Sequence, residues 1–149
     1  MTIIHPAVAK TADVMVDIRE QLIGKLFRAV QRRENDWVFT FSNNASVGVE
    51  ASWRIIAEGR NQFGDGDHGH QFGLPAPIDG ESLVHELLSG KAVRAIDIRE
   101  DTGDLILTFD NGTKLEVVHI SAGYEGWQLT TGTLNVVAQG GGQLAIWRT

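Results

Sequence analysis

The chain has 149 residues, a formal net charge of −6 at pH 7 and no cysteine. The acidic balance disfavours nucleic acid and anionic membrane surfaces as partners, because both select a basic face. The lack of cysteine excludes disulfides, thiolate zinc sites and cysteine nucleophiles. The N-terminal residues lack the pattern of a signal peptide, and no apolar run approaches the roughly 20 residues of a membrane span. We therefore expect a cytoplasmic protein of bacterial type.

The first 58 residues predict a helix followed by four strands. Residues 1–12 are expected to form a loosely held arm, in which Ile3 and Ile4 could add an edge strand. Apolar residues at i, i+4 and i+8 over residues 13–23 predict a helix that ends at Gly24, although alternating β-branched residues from Val14 leave a strand as the alternative. Aromatic and β-branched residues then predict four strands, with a hairpin turn at 43–44: 25–33, 36–42, 45–50 and Ser52–Ala57.

The middle of the chain predicts a long loop and a second helix. Residues 59–77 are rich in glycine, with two prolines near the end and little periodicity. Loops longer than about 12–15 residues are uncommon in compact domains and are often functional. Residues 79–88 predict a helix, with Asp79 or Ser82 as its N-cap and Gly90 as its stop signal.

The remainder of the chain predicts six strands separated by glycine-containing turns. The triple glycine Gly140–Gly142 indicates a hairpin turn, because no Lys-Ser/Thr pair and no helix follow it as in a phosphate-binding loop. Asn111-Gly112 is a strong hairpin signal. The predicted strands are 91–99, 104–110, 113–120, 124–130, Leu134–Ala138 and Leu144–Arg148.

The two halves of the chain resemble each other in sequence. The segments 22–30 and 88–96 share the pattern Gly-Lys-x-x-Arg-Ala, and 40–44 matches 108–112 when the second copy gains two residues. The matched order predicts two related units about a pseudo-twofold axis, sharing one core. We therefore predict a β-rich α+β fold with one or two short helices. It is predicted to be a single domain over residues 1–149 with an internal pseudo-repeat, whose halves are about 14–58 and 79–149, joined by the Gly-rich loop 59–78.

A glycine-rich stretch of the loop offers candidate ligands, namely Asp65, Asp67, His68 and His70. Carboxylates and imidazoles can hold an ion. The further acidic positions and the closing glutamate of a calcium loop are missing, however, and zinc needs three or four rigidly held ligands. The alternative is a solvated loop whose side chains cap turns. We predict no metal and no cofactor here, and keep the four residues as candidates for contact with a ligand or partner.

The second candidate is formed by Tyr124, Glu125 and Trp127. In a strand, Tyr124 would point to one face and the other two to the opposite face. A glutamate beside a tryptophan could act as a general acid. The alternative is that Trp127 anchors the core while Glu125 pairs with an arginine or caps backbone amides. No catalytic residue is predicted, because the set that can be drawn from His119, Ser121 and Asp110 lacks a nucleophile-elbow motif.

Three motifs carry a resemblance to a known family: DLILTFDNG at 104–112, GYEGW at 123–127, and a GGxLAIW strand near the end of the chain. With these motifs the chain resembles a family of uncharacterised bacterial domains of unknown function. The resemblance covers nearly the whole chain from about residue 20. It implies no activity, ligand or cofactor. Relatives of this general look occur among bacterial immunity-type and contact-system proteins, which supports a binding role by association only.

The leading interpretation of function is a non-enzymatic binding or interaction protein, of the immunity type, that neutralises a protein partner by covering it. It rests on the acidic surface, the long loop and the lack of an ordered catalytic set. One alternative is a small-molecule or metal-dependent enzyme that uses the 65–70 loop with Glu125. Another is a homodimeric structural module whose exposed strand edge pairs with itself. If the bend at 124–127 faces the 65–70 loop, function is expected at the junction of the halves.

Overall fold

The computed structural model describes residues 7–9 and 11–149 of the chain. These residues form two α-helices, α1 (Thr11–Leu22) and α2 (Gly80–Leu88). They also form twelve strands, which are, in chain order, β1 (Ala7–Ala9), β2 (Phe27–Arg32), β3 (Trp37–Phe41), β4 (Ser46–Val49), β5 (Ser52–Ala57), β6 (Arg60–Gly64), β7 (Val93–Ile98), β8 (Leu105–Phe109), β9 (Lys114–Val118), β10 (Trp127–Thr130), β11 (Leu134–Ala138) and β12 (Leu144–Arg148). Short 3-10 turns lie at Ser42–Asn44, Asp65–Asp67, Asp110–Gly112 and Gly140–Gly142.

The strands pair antiparallel in two sheets. The first sheet has seven strands in the order β1-β12-β11-β10-β4-β3-β2, and the second has five in the order β6-β5-β9-β8-β7. Strands β2 and β7, at the edges of different sheets, begin side by side. Phe27 N–H donates to the carbonyl of Lys91, and Val93 N–H donates to the carbonyl of Lys25, both at 2.9 Å. Backbone hydrogen bonds therefore join the two sheets at these edges.

The alternation of apolar residues along the strands builds one core that both sheets share. In β3 and β8 every second residue is buried, as the period of two in a half-buried strand requires. Trp53 of β5 packs edge-on against Trp37 and Phe39 of β3, with ring centroids 5.0 Å apart in both pairs. This aromatic contact links the two sheets, and their buried apolar side chains belong to one cluster.

Each helix packs on a strand that is distant from it along the chain. Helix α1 contacts β7, and α2 contacts β2. The N–H of Val30 donates to Nε2 of His85 (3.4 Å), and the N–H of Arg32 donates to Oε2 of Glu81 (3.2 Å). Side chains of α2 therefore accept hydrogen bonds from two backbone N–H groups on the edge of β2. Without them, these N–H groups would be free to pair with another strand.

The coarse fold class is confirmed, since the described residues form a β-rich α+β structure with two helices. The helix predicted at 13–23 is α1, which begins earlier, at Thr11, and the strand alternative from Val14 is wrong. The helix predicted at 79–88 is α2, and Asp79 is its N-cap, with Oδ1 accepting the N–H of Ser82 at 3.3 Å.

Other parts of the prediction have different outcomes. The predicted arm contains β1, which pairs with β12, while the edge strand proposed at Ile3 and Ile4 lies outside the described residues. The single domain with halves at about 14–58 and 79–149 stays a prediction.

The loop predicted at 59–77 is wrong in its first part. Strand β6 pairs there with β5, and Phe63 is buried opposite Ile55. The connecting turn places Glu58 at φ 55 and Gly59 at φ 74, which is the left-handed geometry of a tight hairpin. Because Phe63 is the only large apolar residue of β6, no alternation in the sequence signals this strand. Its existence depends on pairing with β5.

Candidate functional site

The polar side chains of the 65–70 loop are mostly used to hold backbone groups. Asp65 Oδ1 accepts the N–H of Trp53 (3.1 Å), and Asp67 Oδ2 accepts the N–H of Gly64 (2.9 Å). Nδ1 of His68 accepts the N–H of Gly80, the first residue of α2, at 3.0 Å. These three side chains therefore fasten the loop to β5, β6 and α2, because each satisfies a donor that would otherwise need another partner.

The two histidines of the loop are also packed against aromatic rings. The His68 ring lies edge-on to Trp37, with centroids 5.8 Å apart, and the His70 ring stacks on Phe72 at 5.4 Å. Across the described ranges 7–9 and 11–149 there is no group of three or more His, Cys, Asp or Glu residues that could hold a metal ion. The arrangement of the loop is that of a structural connection.

A second polar segment, the bend at residues 119–126, precedes β10. Nε2 of the buried His119 lies 2.8 Å from the carbonyl oxygen of Tyr124. Because a carbonyl only accepts, Nε2 carries the proton. The hydroxyl oxygen of Ser121 accepts the N–H groups of Gly123 (3.1 Å) and Tyr124 (2.8 Å). The backbone of the bend is thus fixed from inside.

Close packing of glycines supports this bend. A Cβ on Gly126 would lie 2.7 Å from the His119 ring, and a Cβ on Gly140 would lie 2.6 Å from the carbonyl oxygen of Ala122. The Gly142 backbone, at φ +86, lies so close to Thr102 that a Cβ would come within 2.5 Å of its carbonyl carbon. The triple glycine is therefore more than a hairpin turn, because Gly140 lies against the bend and Gly142 lies against the turn between β7 and β8.

The structure separates Trp127 from its two predicted companions. The strand predicted from residue 124 begins only at Trp127, so the predicted alternation of Tyr124 and Glu125 on opposite faces is wrong. Trp127 is buried, and its Nε1–H donates to the carbonyl of Gly103 at 2.7 Å. Tyr124 and Ile120 are exposed, with 82% and 84% of their surface accessible. Trp127 is a core anchor, whereas Tyr124 is available for contact.

The residues drawn together as a catalytic set are apart in the structure. Asp110 pairs with Arg94 and accepts the N–H of Ala92 at 2.8 Å. Ser121 and His119 hold backbone groups of the bend. These contacts serve the fold, while Nδ1 of His119 is buried without a hydrogen-bond partner among the described residues.

The bend and the loop both lie near the end of β4. The N–H groups of Glu50 and Ala51 both donate to the carbonyl of Gly126 at 3.0 Å, next to the pairing of β4 with β10. A surface cavity of about 350 Å³ has Glu50, Ile120, Tyr124 and Glu125 in its wall. A neighbouring cavity of about 360 Å³ shares Glu50 and includes Asp65. A third, of about 620 Å³, also shares Glu50.

We call this region the junction surface and define it by six residues that line these cavities: Asn35, Glu50, Ala51, Ile120, Tyr124 and Glu125. Three residues that the sequence offered as site candidates lie here. Asp65 lines the cavity of about 360 Å³, and Tyr124 and Glu125 line the cavity of about 350 Å³. The sequence reasoning missed Asn35, Glu50 and Ile120. One of the three had a signal in the sequence. Ile120 is an apolar residue directly before the Ser-Ala-Gly bend, a position where it is not expected to be buried in a strand.

The electrostatics of the junction surface are dominated by carboxylates. Arg33 donates two hydrogen bonds to Asp36, at 2.7 and 2.6 Å, and its guanidinium holds the pKa of the Asp36 carboxyl below the ordinary value. The carboxylates of Glu34, Glu50 and Glu125 make no hydrogen bond or ion pair with the residues that the structure describes. Arg32, which lines the same cavity as Glu34 and Glu50 and lies over the Trp37 ring, offsets only part of this negative charge.

The fold and site together define a β-rich α+β protein whose acidic junction surface carries the exposed side chains of Ile120 and Tyr124. The chain belongs to a family of unknown function (DUF6188), whose model matches residues 28–148. No curated protein and no solved structure matches it. Among the described residues, no helix is both long enough and apolar enough to cross a membrane.

Proposed function

We propose that this protein is a non-enzymatic interaction protein that binds a protein partner through the junction surface. The observation that carries the proposal is the exposure of Ile120 and Tyr124 on a bend whose backbone is fixed. Exposed apolar residues scattered singly are normal. Here two of them flank a cavity, and a fixed backbone lowers the entropy cost of binding. Tyrosine is also enriched among residues that dominate binding energy.

The packing of the bend supports a role in binding over a role in folding. Replacing the exposed Tyr124 removes little buried surface, yet Ser121, His119 and two closely packed glycines hold the backbone beneath it. A partner that covers this surface, as an immunity-type protein covers its target, would bury both exposed side chains.

The test compares capture of partners by the parent protein and by the double variant Ile120→Ser/Tyr124→Ser. Val16→Ser is the matched control, because Val16 is an apolar side chain of α1 that is 60% exposed. We expect the parent and the control to recover the same partner from a lysate of the source cells, and the double variant to lose it at least tenfold by quantitative mass spectrometry. With the purified partner, calorimetry is expected to show a loss of about 2 kcal/mol or more. Equal recovery by all three proteins contradicts the proposal.

We also infer that the chain is an internal pseudo-repeat. Two equivalent contacts support this: Leu26 N–H donates to the side chain of Ser42 (3.0 Å), and Ala92 N–H donates to that of Asp110 (2.8 Å). The β2–β3 and β7–β8 pairs both have a register shift near their beginning. Both helices also precede the strand pair in the same order.

If the two contacts are equivalent, Ser42→Ala and Asp110→Ala each remove the side-chain acceptor of a backbone N–H, and the matched variant Arg94→Ala measures the ion pair that Asp110→Ala also removes. Each loss of an acceptor is expected to lower the free energy of unfolding by about 1 kcal/mol in urea. A neutral result at one position and a loss at the other would count against the equivalence.

A further inference from the structure

We infer that the partner's contacting segment is basic, with a Lys or Arg next to an apolar side chain. This inference rests on the proposed function and names the chemistry of the partner. Its basis is the charge that the three cavities of the junction surface leave unpaired.

The charged residues that line these cavities are mostly acidic. Two are basic, Arg32 and Arg33, and five are acidic: Glu34, Asp36, Asp65, Glu50 and Glu125. Arg33 is used by Asp36, and Asp65 accepts a backbone N–H. Three glutamates make no ion pair within the described part of the chain, and the one unpaired cation, Arg32, lies over the Trp37 ring. The cavities therefore keep an acidic excess.

Glu50 lies at the centre of this imbalance. It lines all three cavities, and it shares the smallest of them with Glu125. A guanidinium or ammonium group between these carboxylates would form charge-assisted hydrogen bonds, which are stronger than neutral ones. The exposed ring of Tyr124 is the neighbour of Glu125 in sequence and lines the same cavity, so it offers an aromatic face for the same cation.

Other occupants fit this surface less well. A second copy of the chain, docked face to face here, would place the same unpaired glutamates against each other, which is unfavourable. Nucleic acid would be repelled for the same reason. A free inorganic cation would leave Ile120 and Tyr124 uncovered, whereas a polypeptide can bury them while it supplies the charge.

The experiment selects ligands without assuming their sequence. A phage-displayed library of random dodecapeptides is panned on the immobilised full-length protein, and the enriched peptides are synthesised. We expect these peptides to carry Lys or Arg beside apolar residues. Their affinity, measured by calorimetry, is expected to fall at least tenfold for Glu50→Gln/Glu125→Gln and to fall as salt concentration rises.

Glu20→Gln/Glu100→Gln is the matched control. Glu20 of α1 and Glu100, which follows β7, are exposed glutamates and are not among the residues lining the three cavities. This variant removes as many negative charges as Glu50→Gln/Glu125→Gln and is expected to leave peptide affinity within twofold.

The outcomes separate this inference from the function on which it rests. Neutral or acidic peptides, no enriched peptide at all, or affinity unchanged in Glu50→Gln/Glu125→Gln overturns the basic partner. If such peptides still lose affinity with Ile120→Ser/Tyr124→Ser, the proposed binding function stands. A separate, mostly apolar surface cavity is lined by Leu74, Pro77 and Leu83. Peptides that depend on neither pair of residues, and bind instead at that cavity, overturn both.

Discussion

The 65–70 loop and the 119–126 bend are both short polar segments with glycines, yet they use their side chains differently. In the loop, Asp65, Asp67 and His68 each accept a backbone N–H. In the bend, His119 and Ser121 bind the backbone groups, while Tyr124 and Glu125 remain exposed. The comparison teaches that a concentration of polar residues does not locate a site. A site residue is one whose functional group the fold has left unused.

The largest expected effect is that of Trp127→Ala, which tests the division between anchor and exposed residue. Removing a buried tryptophan is expected to cost about 3–5 kcal/mol of unfolding free energy, and it also leaves the carbonyl of Gly103 without its donor. Tyr124→Ala, three residues earlier, is the control and should change the value by less than about 0.5 kcal/mol. Urea unfolding followed by fluorescence measures both. Similar losses for the two variants would break the distinction.

The packing of the turn between β11 and β12 is tested by a pair of neighbouring glycines. Gly141 and Gly142 both have positive φ, but only Gly142 lies against Thr102, while Gly141 has open space around its Cβ position. Both substitutions to alanine carry left-handed strain, and Gly142→Ala adds overpacking of about 1–3 kcal/mol. Thermal and urea unfolding of the two variants compare them. Equal stability would mean that this turn is not closely packed against Thr102.

A smaller loss is expected in the loop when an acceptor is removed. Asp67→Ala leaves the N–H of Gly64 without its 2.9 Å partner, and about 1 kcal/mol of unfolding free energy should be lost. Asp67→Asn keeps an acceptor oxygen and should recover most of this loss. If both variants are as stable as the parent, the loop carboxylate has no structural role and becomes available as a functional group.

The smallest effect concerns acid stability at the end of the loop. Hydrogen bonds from Ser82 lower the pKa of the exposed Asp79 carboxyl at the start of α2. The folded-state pKa of Asp79 lies below the unfolded value of about 3.9. The carboxylate therefore contributes its full stabilisation above about pH 3.9, and this stabilisation is lost as the pH falls through the folded-state pKa. The parent protein should therefore lose unfolding free energy between about pH 5 and pH 2, and Asp79→Asn should lose less. Urea unfolding at the two pH values measures both proteins. An unchanged difference would contradict the capping role.

Local signals in the sequence were sufficient for most of the secondary structure. Alternation predicted β3 and β8, and Asn-containing turns with positive φ at Asn43 and Asn111 set the hairpins between their strands. Helix α2 followed from its Asp79 cap and its apolar stripe. Strand β6 was missed because it has one buried apolar residue, and the start of β10 was misplaced because the bend before it is set by a buried histidine.

The sequence by itself determined the helices, most strands and the acidic balance of this protein, because these follow from neighbouring residues and from composition. Only the tertiary structure decided which polar groups are free. Asp65 meets the N–H of Trp53, and His68 that of Gly80, only after β5, β6 and α2 have assembled. Likewise, Glu50 and Glu125 are distant in sequence, and the pairing of β4 with β10 brings them to one surface.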